Sequence, residues 1–405
     1  MVSIAEALNL IHSNVKAVHT EILPVESALG FVSAEHIHAK FDLPRFDNSA
    51  MDGYAVTMAD AGGTIVSQPT IFAGDDSSVK VTKGHGVKIM TGAVIPEGAD
   101  AVIPVENTSR SEAGIQLPQT VKKGANIRKR GEDIAKGERI VEAGDTIDAY
   151  AVTQLTSQGI THLRLYRKPA VSVFATGHEL RMHYEHVEAH QIYNSNAPTF
   201  IARSRELGCE ARFTGVTADT MESIKEQIAA SLDSDLIITS GGVSVGDADF
   251  TKEAFYELGM EVLFEKVDIK PGKPTTVGRI GSTWIVNLPG NPSAAAVNFE
   301  IFAQSIIRRL RGMNRPFLAP ITTFSKRDIS LKAGKHTVIL GKFDGSGFEA
   351  LPKQGPGMVS PLKRAEGFII TVPQTDFIPA GSQVKMIPLH CPTGSEKEAE
   401  LFTSV

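Results

Sequence analysis

The apolar run Trp284-Ile285-Val286-Asn287-Leu288 is followed at once by Pro289-Gly290-Asn291-Pro292 and then by a helical pattern from Ser293. A strand, a tight turn and a helix in that order constrain this chain more than any other feature. Gly290 permits the sharp turn, and Pro292 suits a first helical turn, where its missing N–H costs nothing. The N–H groups of a helix start favour an anion, so the turn reads as a phosphate cradle. An ordinary strand-to-helix turn is the plainer alternative.

A second turn of this kind lies upstream. The strand pattern Asp235-Leu236-Ile237-Ile238-Thr239 leads into Ser240-Gly241-Gly242-Val243-Ser244-Val245-Gly246, and a helix over about 249–258 ends at Gly259. A third strand candidate, Ala170-Val171-Ser172-Val173-Phe174, leads into Ala175-Thr176-Gly177-His178-Glu179-Leu180. Strands alternate with helices at about 197–207, 220–232, 249–258 and 294–311, which predicts a doubly wound α/β domain over 170–312. Glycine turns at neighbouring strand ends predict a shared crevice at the carboxyl edge of its sheet.

The flanks read differently. Ser3 and Glu6 fit a capping box, with Ile4, Ala7, Leu8 and Ile11 on one apolar face. From about 60 to 145, short apolar runs alternate with Gly and Pro, and helical patterning resumes from Thr146 to Gly159. The expected organisation is therefore an N-terminal region over 1–168, made of a discontinuous helical domain (1–45 and 145–168) with an inserted β-rich module (46–144). An α/β domain over 169–315 and a small C-terminal β-barrel over 316–405 follow.

With 405 residues, 42% of them hydrophobic, the chain has ample material for several cores. A net charge of −5 argues against a dedicated nucleic-acid binder. Cys209 and Cys391, far apart, fit a reducing compartment. The start has neither charged nor apolar leader character and no apolar run reaches membrane-spanning length, so a cytoplasmic protein is expected.

Three polar segments carry candidate chemistry. Asp47, Asn48, Ser49 and Asp52 cluster around a turn whose Asp52-Gly53 pair is also a common turn signal. Arg128, Lys129 and Arg130 stand beside Glu132 and Asp133; Arg128 and Arg130 suit an anion clamp, and a self-neutralising loop is the alternative. Lys270-Pro271-Gly272-Lys273-Pro274 puts two lysines on a proline-restrained loop, where both ammonium groups could meet one oxyanion. His183, His186 and His190 would share one face of a helix, a spacing that could suit zinc, but nothing around them fixes a helix and they read as a loop.

Phe46-Asp47-Asn48-Ser49-Ala50-Met51-Asp52-Gly53-Tyr54-Ala55, Met90-Thr91-Gly92-Ala93, Arg130-Gly131-Glu132-Asp133, Ser240 to Gly246, Lys270 to Pro274, and Leu288 to Pro292 stand in the order seen in the MoeA family. The chain resembles these molybdopterin molybdenumtransferases over about residues 1–390, and with them the E domains of gephyrin and its plant counterpart. The resemblance implies a MogA-like molybdopterin-binding α/β domain. It implies an enzyme that hydrolyses adenylylated molybdopterin with Mg²⁺ and inserts molybdenum from molybdate, yielding AMP and molybdenum cofactor.

Carried over residue by residue, the resemblance gives catalytic roles to Asp52, Thr91, Arg128, Asp133, Glu179, Asp219 and Asp249, with Glu179, Asp219 and Asp249 holding the metal. It assigns substrate binding to Ser240, Gly241, Gly242, Ser244, Gly246, Lys270, Lys273, Pro274, Pro289, Gly290, Asn291, Pro292 and Ser293. It implies a homodimer with active sites at the interface, built from the α/β domain of one chain and the β module of the other, and a MogA-like adenylyltransferase as substrate donor. The chain departs from the family pattern where His178 replaces an acidic residue, where Ala294 follows Ser293, and in the C-terminal domain. There an Arg is missing and Pro356 stands near the usual Ser turn, with Lys335, Lys342 or Lys353 as substitutes. A non-catalytic molybdopterin-binding scaffold and a related nucleotide hydrolase are the alternative readings.

Overall fold

A computed structural model describes residues 1–76, 78–218, 220–241 and 250–389. These residues form two compact units. One comprises 1–34, 143–148 and the described chain from 163 onward; the other comprises 35–142 and 149–162.

At the centre of the first unit is a six-stranded sheet in the order 210–217, 170–176, 236–240, 283–288, 276–280, 261–265. The first four strands are parallel and the last two antiparallel. Strands Leu236–Ser240 and Thr283–Leu288 are buried throughout, which is why they read as unbroken apolar runs rather than alternating ones. Helices Asn196–Glu206, Met221–Ala229, Phe250–Glu257 and Pro292–Asn298 connect or follow the strands. The doubly wound domain is thus present, extended by strands 261–265 and 276–280, which the sequence pattern leaves unmarked.

The predicted 294–311 helix has an internal change of pitch. Residues Phe299–Ala303 form a π segment before helix Gln304–Leu310 resumes, and the Gln304 amide donates to the Phe299 carbonyl. Such segments are rare and need a local cause. This one follows Asn298, whose buried side chain donates to the Ala294 carbonyl at 2.7 Å.

Helix Ile4–Asn14 carries the expected capping box. Ser3 Oγ accepts from the Glu6 amide at 3.1 Å, and Glu6 Oε2 accepts from the Ser3 amide at 2.8 Å. Loss of such a cap costs about 1 kcal/mol. The helix buries Ala7 and Ile11 in the same core as Ile306, Ile307 and Leu310.

The C-terminal part forms a five-stranded antiparallel sheet in the order 321–324, 383–388, 367–371, 337–343, 348–350. Ile329, Ile339, Phe348, Ile369, Val384 and Met386 fill its core.

The second unit is built on another six-stranded sheet, ordered 101–104, 53–56, 85–89, 64–71, 114–116, 109–111, with helix Ala149–Ser157 alongside in sequence. No helix forms over 183–190, so His183, His186 and His190 share no helical face. Among the described residues no group of three metal-ligating side chains assembles, and no helix is long and apolar enough to cross a membrane.

Candidate functional site

In the first unit, three parallel strands end side by side. Ala175 is in register with Ser240, and Ser240 with Leu288. This brings the Thr176-Gly177, Ser240-Gly241 and Pro289-Gly290 segments to one edge. The Gly241 amide donates to the Leu288 carbonyl at 3.2 Å. A β-carbon on Gly241, whose φ is +104°, would lie 2.6 Å from the Thr176 carbonyl oxygen, so this turn accepts no side chain. Asn196, buried at the start of its helix, ties the turns together: its Nδ2 donates to the Gly290 carbonyl at 2.8 Å and to Ser240 Oγ at 3.3 Å. The Glu179 carboxylate folds over Gly177, with both oxygens 2.8 Å from where a β-carbon would stand.

The helix after Gly290 differs from the expectation. Its N–H groups are not left open for an anion. Those of Ser293 and Ala294 both donate to the Pro356 carbonyl, at 2.9 and 3.3 Å, and that of Ala295 donates to Asn291. Pro292 has none to offer, so the start of the helix is satisfied within the chain. Pro289 is buried, Asn291 is exposed, and Ser293 is 4% exposed. An anion at this edge must therefore be met by other groups.

Lys270 and Lys273 are exposed, and among the described residues no carboxylate pairs with either. Their loop is heavily braced. The Val267 and Thr275 amides donate to the Lys273 carbonyl, at 2.9 and 3.0 Å, and Thr275 Oγ1 donates to the Gly272 carbonyl at 3.0 Å. Asn298 Nδ2 reaches the Pro271 carbonyl at 3.4 Å. Pro274, half-buried, follows directly. Two free ammonium groups on a stiff loop can receive a dianion with little entropy left to lose.

In the second unit, strand Asn48–Ser49 pairs with Ile127–Arg128, and the Gly92 amide donates to the Ser49 carbonyl. Asp52 and Thr91 meet directly: the Thr91 amide and hydroxyl both donate to Asp52 Oδ1 at 2.7 Å. These two bonds, the amide first, hold the Asp52 carboxyl below the usual carboxylate range, with Lys88 adding to the effect. Asp52 is exposed, and its Oδ2 takes no hydrogen bond from the described residues. Arg128 and Asp133 are exposed as well.

The anion clamp loses one member. Arg130 donates to Asp42 at 2.6 Å, and Lys129 pairs with Asp47 at 2.7 Å. This half of the segment neutralises itself, leaving Arg128 as its cation without a carboxylate among the described residues.

Asp219, Gly242, Ser244, Gly246 and Asp249 lie outside the described residues. Asn196, Asn298 and the Pro356 carbonyl went unmarked in the sequence. An isolated asparagine carries no motif, and a backbone acceptor is indifferent to residue type.

Comparison with known proteins follows the same layout. Family models match end to end: the MoeA N-terminal region (domain I and II) over 2–159, a probable molybdopterin binding domain over 172–309, and the MoeA C-terminal region (domain IV) over 325–389. The molybdopterin molybdenumtransferase of Haemophilus influenzae is 35% identical over 92% of this chain and 94% of its own length. This chain belongs to the molybdopterin molybdenumtransferase family.

The Staphylococcus epidermidis molybdopterin molybdenumtransferase, another relative, is 35% identical over 77% of this chain and 76% of its own. Two crystal structures of the molybdopterin biosynthesis MoeA protein from Pyrococcus horikoshii superpose with TM-scores of 0.81 and 0.84. They share 29% and 26% identity, cover 96% and 95% of this chain, and are each covered to 99%. The MoeA fold therefore extends through the C-terminal sheet, where this chain's motifs depart most.

Proposed function

We propose that this chain completes molybdenum cofactor synthesis in the cytoplasm, as a homodimer. It takes adenylylated molybdopterin and molybdate, hydrolyses the adenylate, inserts molybdenum, and releases AMP and the cofactor. The observation that carries this reading is the sheet edge where Gly177, Gly241 and Gly290 lie side by side in the unit that holds Lys270 and Lys273 on a braced loop. Close backbone approach suits a phosphate-bearing pterin, and two ammonium groups without a carboxylate partner among the described residues suit the tetrahedral molybdate dianion.

Hydrolysis consumes one water and builds negative charge on the separating phosphates. Bound Mg²⁺ would neutralise that charge and orient the phosphates. Glu179 suits such an ion as a carboxylate that lies over Gly177, and Mg²⁺ favours oxygen donors. Asp219 and Asp249 are the other carboxylates that the family resemblance assigns to the metal. Asp52, fixed through Oδ1 by Thr91, offers Oδ2 as an ionised acceptor, while Arg128 and Asp133 supply charge in the same unit. A MogA-like adenylyltransferase is the substrate donor in this scheme.

Incubation with adenylylated molybdopterin, Mg²⁺ and molybdate, with AMP and cofactor quantified, tests the reading; absence of both products from folded protein would reject it. Lys273→Ala is expected to raise the molybdate requirement by about tenfold, the scale of one charge-assisted contact, with a smaller effect on AMP release. Equal loss of both would reject a molybdate loop. Sedimentation should give twice the monomer mass.

The Asp52 carboxyl gives a pH signature. Because its value is lowered in the folded chain, the stabilisation it contributes is complete above the ordinary Asp value and is lost as pH falls through the lowered one. Thr91→Ala removes the hydroxyl bond but keeps the amide. The acid limb of AMP release should then move to higher pH, and an unmoved limb would dissociate Asp52 from the reaction.

A further inference from the structure

The lysine loop is anchored at its far side by a side-chain pair that no motif marks. His336 Nδ1 lies 3.0 Å from Asp268 Oδ2, with the two side chains 27% and 32% exposed. The same contact continues through the backbone: the Lys270 amide donates to the His336 carbonyl, and the Val338 amide donates to the Lys270 carbonyl, both at 2.8 Å. Lys270 and Thr337 thereby form a parallel bridge. On the opposite flank, the Val2 amide donates to the Lys266 carbonyl at 3.0 Å, and the Asp268 amide donates to the Val2 carbonyl at 2.9 Å. The segment from 266 to 270 is thus held by strand Thr337–Phe343 of the C-terminal sheet and by the N-terminal residues.

Of these ties, only the Asp268–His336 pair uses side chains, so only it is specified by residue identity. It sits two positions before Lys270 in the loop and one position before strand 337–343 in the sheet.

We infer that His336 and Asp268 are positioning residues for the oxyanion site: the pair fixes the Lys270–Pro274 loop against strand 337–343 and so sets where the backbone that carries the two lysines stands. The C-terminal sheet then serves the site through a clamp on the loop, in the region where the chain lacks the family's arginine. This inference rests on the molybdate reading given above.

The test compares full-length His336→Ala, His336→Asn and Asp268→Asn with the parent. Molybdate binding is measured by equilibrium dialysis, and AMP release without molybdate is measured in parallel. His336→Ala should weaken molybdate binding by about tenfold, the lower end of what loss of an orienting partner costs at an ion site. AMP release should change less than about threefold. His336→Asn, which places an amide donor near the Nδ1 position, should recover most of the affinity. Amide hydrogen exchange over 266–275 should quicken in His336→Ala and return towards the parent rate in His336→Asn.

Parent-like molybdate affinity in His336→Ala would overturn the inference, as would equal losses in molybdate binding and AMP release. A parent protein that binds no molybdate, with Lys273→Ala as its reference, would overturn the functional reading itself, and the exchange data separate the two results.

Discussion

Asp52→Ala is expected to slow AMP release from adenylylated molybdopterin by roughly a hundredfold or more, the scale on which a preorganised polar group acts on developing charge. The side chain is exposed, so its removal leaves no cavity and no buried donor without a partner. Far-UV circular dichroism should match the parent, and the thermal midpoint should fall only slightly, by what the two exposed Thr91 bonds contribute. The neighbouring glycine would not give so clean a result, since a β-carbon on Gly53 would stand 2.2 Å from the Ile103 carbonyl oxygen. Asp52→Asn is the sharper companion: it keeps the shape and an acceptor for Thr91 but removes the charge. Turnover near the parent rate in both variants would reject Asp52 as a catalytic group.

The second large effect concerns Gly272. Its φ is +106°, and a β-carbon there would lie 1.7 Å from Asn298 Nδ2. Asn298 cannot yield easily, being fully buried and bonded to the Ala294 carbonyl. Gly272→Ala combines a disfavoured backbone with overpacking and should cost about 2–4 kcal/mol. Calorimetry should show a lower midpoint, and molybdate affinity should fall because the loop carrying Lys270 and Lys273 must shift. Asn298→Ala in the same chain opens the space and should restore part of the loss. A midpoint within experimental scatter of the parent would show that the loop is not held as tightly as the geometry indicates.

The elements that proved legible were those with a local cause. Strand 283–288 and its turn announce themselves through an apolar run, Gly290 and Pro292, and the Ser3–Glu6 capping box is complete within four residues. Strands 261–265 and 276–280 were not marked. The first is exposed at Glu261 and Val262, and the second carries Arg279 on its outer face, so neither has the continuous apolar run of a central strand. The site divides in the same way. Gly241, Gly290 and the lysines lie in motifs, whereas Asn196, Asn298 and His336 are tied to residues far along the chain. The helix start at Ser293 shows how local reasoning can mislead: its N–H groups are free by every nearby rule and are taken by a carbonyl from a distant loop.

That carbonyl belongs to Pro356, and its position in the chain sets an order of events. Translation delivers the turn at 288–292 well before the residue that closes it, and chains fold broadly in the order they emerge. Until Pro356 is in place, the Ser293 and Ala294 amides lack this acceptor. Completion of the C-terminal sheet seals them. The turn that opens the glycine-lined edge is therefore closed by a residue from far along the chain, so removing the loop that carries Pro356 would leave the Ser293 and Ala294 amides without their acceptor.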